Sequence, residues 1–171
     1  MIWAAGLGLT ACSSGPPPQD HSVAKVDLVR YMGRWYEIAS YQPSFQKDCF
    51  CTTADYGLMR DGTIAITNAC RKGSPTGQED MVIGTAKVVR GSRGSRLKVS
   101  LQWPFEGDYW IVGLGPEYEW ALVGHPQKKY LWVLARKPVM DEALYESLKA
   151  KAAELGYDVS RLKKTVQTCW K

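Results

Sequence analysis

Apolar and polar residues alternate with a period of two along much of this chain. The clearest run sets Leu97, Val99, Leu101 and Trp103 against Lys98, Ser100 and Gln102, which predicts a strand with one buried face. Residues 35–41, 49–58, 63–70, 81–89, 109–114, 118–123 and 130–136 have the same strand character. Turn signals separate these runs: Asp61-Gly62, the stretch Arg90-Gly91-Ser92-Arg93-Gly94-Ser95, Gly115-Pro116 and His125-Pro126. Asp-Gly suits the tight turn of a hairpin. Eight consecutive strands joined mainly by short links predict a sandwich or a closed antiparallel barrel. Closure removes exposed edges, and eight strands leave an interior just wide enough for one small ligand.

The period changes after Pro138. Leu144, Leu148, Ala152 and Leu155 fall at near-helical spacing, with Asp141 placed to cap the start and Gly156 the end. This predicts one C-terminal α-helix packed on the outside of the barrel, so the fold class is all-β with a single helix. Residues 165–169 are expected to add a short final strand.

The N-terminus has no such periodicity. Residues 2–9 are uncharged and apolar or small. They are too few to cross a bilayer, which takes about 20 apolar residues, and they fit the apolar region of a secretion signal. Leu9-Thr10-Ala11-Cys12 resembles the bacterial lipobox, which implies cleavage before Cys12 and lipidation of that cysteine, palmitate included. Several acyl chains on one residue make membrane attachment stable. The polar, Pro-rich stretch Ser13-Ser14-Gly15-Pro16-Pro17-Pro18-Gln19-Asp20 reads as a tether. The expected organisation is a signal peptide over 1–11, a lipidated cysteine and tether over 12–25, and a folded domain over 26–171.

Five cysteines are an odd count for an exported chain. Lipidation of Cys12 leaves Cys49, Cys51, Cys70 and Cys169, enough for two disulfides, and an oxidising compartment favours them. Three pairings are open. Cys49 and Cys51 have the same parity, which places them on one face of a strand. Cys-x-Cys lacks the usual spacing of a zinc site and only His21 and His125 are present, so neither a metal nor a cofactor is expected. There is no Gly-x-Ser-x-Gly elbow and no phosphate loop, and Lys47 is the only basic residue near the Cys-x-Cys in sequence. The chain is therefore not expected to be an enzyme; the alternatives are a thiol-dependent enzyme or a binder of another small ligand. The net charge of +5 is dispersed rather than interleaved with aromatics, so nucleic acid is not an expected partner. A homodimer is left open.

Three segments together point to a family. Gly33-Arg34-Trp35-Tyr36-Glu37 resembles the first lipocalin signature, Gly-x-Trp. Glu117-Tyr118-Glu119-Trp120-Ala121-Leu122-Val123 resembles the second. Tyr130-Leu131-Trp132-Val133-Leu134-Ala135-Arg136 resembles the third, which ends in a basic residue. The chain is similar to the lipocalins from about Val26 to Trp170, above all to the bacterial outer-membrane lipoprotein lipocalins and apolipoprotein D. The resemblance implies an eight-stranded up-and-down barrel. It implies that Trp35 fills the closed end, that Arg136 lies across it, and that Gly33 permits the entry into the first strand. It implies disulfides Cys49–Cys70 and Cys51–Cys169, although plain hairpin register around Asp61-Gly62 sets Cys51 nearer than Cys49 to the level of Cys70 unless a bulge intervenes.

Alternation then selects a lining. Trp35 inward implies Glu37 and Ala39 inward. Asp55 exposed implies Phe50, Thr52, Ala54 and Tyr56 inside. The fifth strand offers Leu97, Val99, Leu101 and Trp103. Arg136 at the base selects Trp132 and Leu134, and Tyr109 is favoured over Trp110. Such a lining is apolar with a few polar groups, as ligand cavities are. The resemblance implies a fatty acid or lysophospholipid as the ligand. It also implies a lipid-anchored place on the periplasmic side of the outer membrane and a role in lipid storage or transport for envelope maintenance or stress.

Overall fold

A computed structural model describes residues 18–102 and 104–170. Eight antiparallel strands form the barrel: β1 (Gly33–Ser40), β2 (Cys49–Leu58), β3 (Ile64–Lys72), β4 (Glu79–Val88), β5 (Arg96–Gln102), β6 (Phe105–Leu114), β7 (Trp120–Gly124) and β8 (Leu131–Ala135). Each pairs with its neighbour in sequence, and β1 closes the ring by pairing with both β8 and β2. A one-turn helix, α1 (Leu28–Tyr31), precedes β1, and Asp27 caps it by accepting from the amides of Val29 and Arg30. The helix α2 spans Glu142–Glu154; Asp141 accepts from the Leu144 amide, and Gly156 takes the left-handed conformation beyond its end. The final strand is shorter and earlier than expected: β9 is Lys163–Lys164, paired with Ala39–Ser40.

Two apolar clusters divide the strands by face. The inner one joins Trp35, Tyr56, Ile64, Ile66, Ala86, Leu97, Ile111, Ala121, Val123 and Leu134. The outer one joins Ile38, Ala39, Val112, Leu122, Leu131 and Val133 to Tyr145, Leu148 and Ala152 of α2. The helix therefore covers the outside of β6, β7, β8 and β1 and leaves the lumen free. Packed chain begins upstream of Val26, because the Val23 amide donates to the Ile111 carbonyl at 2.8 Å and Asp20 pairs with Arg96 at 3.1 Å.

Register shifts break the period of two in β1, β2, β5 and β6, and those in β1 and β2 bear on the lining. In β1 the register runs Glu37 opposite Leu134 and then Ala39 opposite Val133. The extra residue turns both Ile38 and Ala39 outward, beneath the helix. In β2 the register shifts between Phe50 and Thr53, and Cys51 sits there at φ 54°. The shift puts Phe50 opposite Arg71, on the face that Thr53 shares with Ala69. Cys51 has no partner of its own in the β2–β3 ladder, so strand parity does not fix its face. Cys49 bonds Cys70 and Cys51 bonds Cys169, with Cα separations of 5.5 and 6.0 Å. The bulge is what reconciles the first pair with the hairpin register.

Candidate functional site: the barrel interior

The closed end is built around one cation. The Arg136 guanidinium lies 3.9 Å above the Trp35 ring. It donates to the carbonyls of Arg34 (2.9 Å), Arg30 (2.8 Å), Tyr31 (3.1 Å) and Tyr118 (3.3 Å). The Trp35 indole donates in turn to the Tyr31 carbonyl at 2.9 Å. Gly33 lies at φ 89°, and a Cβ there would meet Nη1 of Arg136 at 3.5 Å. The left-handed backbone is the reason a glycine stands at this entry.

Above this plug three tyrosines form a hydroxyl cluster. Tyr109 is hydrogen-bonded to Tyr31 at 2.8 Å and to Tyr56 at 3.1 Å. Burial pushes Tyr31 and Tyr109 well above the usual phenol range and Tyr56 up to about 12. All three remain neutral at ordinary pH. They give the floor of the lumen a small polar spot that can either donate or accept.

Near the open end a second polar group forms around Glu37. Its carboxylate accepts from Ser40 (3.1 Å), Gln46 (2.9 Å) and Thr165 (2.5 Å). The Gln46 amide oxygen accepts in turn from the Trp132 indole at 3.2 Å. One short turn, Ser44–Gln46, thus links the only acid among the lining residues named from the sequence to an inward tryptophan. Burial raises the Glu37 carboxyl above its ordinary value, and the three donors only partly offset this. An acid raised on folding contributes stability that is complete below its unfolded pKa and is lost as pH rises through the folded value. Replacing Glu37 by glutamine removes that titration. The stability of the wild type minus that of Glu37→Gln should fall as pH rises above the ordinary carboxyl range in chemical unfolding. A difference that stayed flat or rose would contradict the assignment.

Most residues expected to line the lumen meet there. Tyr56, Leu97 and Leu134 belong to the inner cluster, and Ala54, Val99, Leu101, Tyr109 and Trp132 pack against it while only partly buried. Ala39 and Phe50 do not join them, because each follows or adjoins a bulge. Thr52 is buried with a hydroxyl that has no hydrogen-bond partner. Trp103 and Cys12 lie outside the described residues. Tyr31, Ser40, Gln46 and Thr165 were not anticipated, since they come from a helix, a strand end, a turn and a tail to which no strand alternation applies. Ile64 and Ile66 could have been read from the Asp61-Gly62 hairpin.

The profile of the lipocalin-like domain family matches residues 26–167. This chain belongs to the lipocalins. The "Temperature-induced lipocalin-1" of Arabidopsis thaliana is 41% identical over 155 residues, covering 85% of this chain and 82% of that protein. The "Outer membrane lipoprotein Blc" of Escherichia coli (strain K12) is 36% identical, covering 92% and 89%. The mouse (Mus musculus) "Apolipoprotein D" is 32% identical, covering 93% and 84%. Among solved structures, insecticyanin of the tobacco hornworm Manduca sexta superposes with a TM-score of 0.71 at 17% identity, over 88% of this chain and 86% of that one, which speaks to the fold. Lipocalins are in general binding proteins rather than enzymes. In this lipocalin Cys49, Cys51, Cys70 and Cys169 are all paired, so the thiol-dependent alternative has no free thiol at these four positions.

Proposed function

We propose that this lipocalin binds a fatty acid or lysophospholipid inside the barrel and stores or carries it at the bacterial outer membrane. The single observation that supports the ligand class best is the inner wall. Ala54, Val99, Leu101 and Trp132 point inward yet keep part of their surface accessible. An apolar wall with accessible area favours an acyl chain, since each buried methylene contributes about 0.8 kcal/mol. The tyrosine hydroxyls and the Glu37 group supply a few polar contacts, the usual composition of a ligand site.

The place in the cell is part of the same proposal. Cleavage after Ala11, lipidation of Cys12 and a tether ending before the packed residues Asp20 and Val23 would hold the domain on the periplasmic side of the outer membrane. Relatives described as outer membrane lipoproteins support this reading, as does the Leu9-Thr10-Ala11-Cys12 motif. A role in envelope maintenance or stress follows from a carrier fixed at that surface.

The test is a titration of oleate and lysophosphatidylcholine, followed by tryptophan fluorescence, on the wild type and Trp132→Phe. Saturable binding is expected, with the fluorescence change in the variant cut by about half or more because Trp132 borders the ligand. No saturable response to either lipid would refute the carrier reading.

A further inference from the structure

The wall between β1 and β2 is not continuous. The two strands pair from Gly33 opposite Tyr56 to Tyr36 opposite Thr53, and the ladder stops there. Beyond it, toward the open end, the C-terminal segment enters the gap. The Thr165 amide donates to the Ile38 carbonyl of β1 at 2.9 Å, and the Cys51 amide of β2 donates to the Val166 carbonyl at 2.7 Å. The Gln167 side-chain amide then spans the opening by itself, donating at 2.8 Å both to the Glu37 carbonyl and to the Thr52 carbonyl. Glu37 and Thr52 are the residues that a continued ladder would set opposite each other, and Gln167 supplies a donor to the carbonyl of each. The strap is held at both ends, by β9 before it and by the Cys51–Cys169 disulfide after it.

Three features mark the strap as a separable piece of wall. It touches the lumen side, because the Thr165 hydroxyl bonds the inward Glu37 carboxylate. Clefts flank it on both sides, one of about 300 Å³ bounded by Arg71, Pro75 and Thr168, the other of about 240 Å³ bounded by Ile38, Met140 and Gln167. Beside it the buried Thr52 hydroxyl has no partner. A segment with open space on both sides and few backbone bonds opens at a lower free energy than the ladder around it.

We propose that the gap between β1 and β2 is a side entrance to the lumen for the acyl chain of a lipid, closed by the strap Thr165–Cys169. It rests on the lumen being the ligand site. The second cleft borders the strap at Thr165, Gln167 and Thr168 and offers the apolar side chains of Ile38, Val139 and Met140 beside the Lys164–Glu142 ion pair, a surface along which a chain can approach. Gln167 is the latch and the disulfide limits how far the strap lifts. Easier lifting lowers the barrier to entry and exit alike and leaves the bound state unchanged, so rates move and affinity does not.

The experiment is stopped-flow binding of the apolar fluorophore N-phenylnaphthylamine to the purified wild type, Gln167→Ala, the pair Cys51→Ser with Cys169→Ser, and the control pair Cys49→Ser with Cys70→Ser. Removing the bolt should speed both association and dissociation by roughly tenfold, and Gln167→Ala by about threefold, with Kd held within about twofold. The control pair should keep wild-type rates. Should the Cys51 and Cys169 variant fail to fold, Gln167→Ala decides, since both disulfides remain. Wild-type rates in Gln167→Ala, or equal acceleration in the control pair, overturn the side entrance while the lumen reading stands. Absence of saturable binding by the wild type overturns both.

Discussion

Replacing Arg136 by alanine is expected to destabilise the protein by about 2–4 kcal/mol, the combined cost of the carbonyls that lose a donor and of the lost ring contact. Four carbonyls lose a donor at once, those of Arg30, Tyr31, Arg34 and Tyr118. The Tyr31 carbonyl keeps the Trp35 indole as a donor; each of the others that is left buried and unpaired costs about 1–3 kcal/mol, less whatever water recovers. The Trp35 ring also loses the cation 3.9 Å above it, worth about 0.5–2 kcal/mol. Lysine should restore less than half of the loss, because a single ammonium cannot match the planar fork that reaches α1, β1 and the turn before β7 together. Guanidinium unfolding of wild type, Arg136→Ala and Arg136→Lys measures this. A loss under about 1 kcal/mol for alanine would mean that the base stands without its plug. The lumen floor should feel the change through Tyr31, whose carbonyl bonds Arg136 and whose hydroxyl bonds Tyr109.

The two disulfides should differ in worth. Cys51–Cys169 spans a sequence separation of 118, and Cys49–Cys70 one of 21. A cross-link lowers the entropy of the unfolded chain in proportion to the logarithm of the loop it closes. Removing the long loop is therefore expected to cost about 5 kcal/mol and the short one about 3 kcal/mol. The difference of about 1.5 kcal/mol is the discriminating quantity. Unfolding of the two serine-pair variants under non-reducing conditions gives it directly. The reverse order would show that contacts made by the Cys49–Cys70 pair in the folded state outweigh chain entropy. The long loop also carries a native-state role that the short one lacks, since it fastens the strap whose Gln167 bridges β1 and β2.

The fold was legible because its signals are local. Alternation over 97–103, the Asp61-Gly62 turn and the Leu144, Leu148, Ala152 spacing each depend on residues close in sequence, and the structure follows them in β5, the β2–β3 hairpin and α2. The Gly33, Trp35 and Arg136 triad was legible only through family resemblance, and the 3.9 Å contact matches it. The inward face was legible where a strand stays regular, as at Leu97 and Val99, and Leu101 packs inward beside the register shift of β5. It failed at Ala39 and Phe50, because one extra residue in a strand exchanges its faces and nothing in the local pattern marks where that residue sits. At Cys51 the bulge is tied to a bond with Cys169, more than a hundred residues away.

The order of strands, the helix and its caps, and the base are thus properties that short-range chemistry and a few signature residues specify. The bulges, the tyrosine cluster, the Gln46 link from Glu37 to Trp132 and the strap in the β1–β2 gap arise only when distant segments meet. Tyr31, Tyr56 and Tyr109 lie in a helix and two strands, and although Tyr56 and Tyr109 read in sequence as lining residues, nothing local joins them to Tyr31. Barrel closure brings the Tyr31 and Tyr56 hydroxyls to 2.8 and 3.1 Å from that of Tyr109. The cost of burying a hydroxyl without a partner then makes the cluster the arrangement that the folded chain settles into.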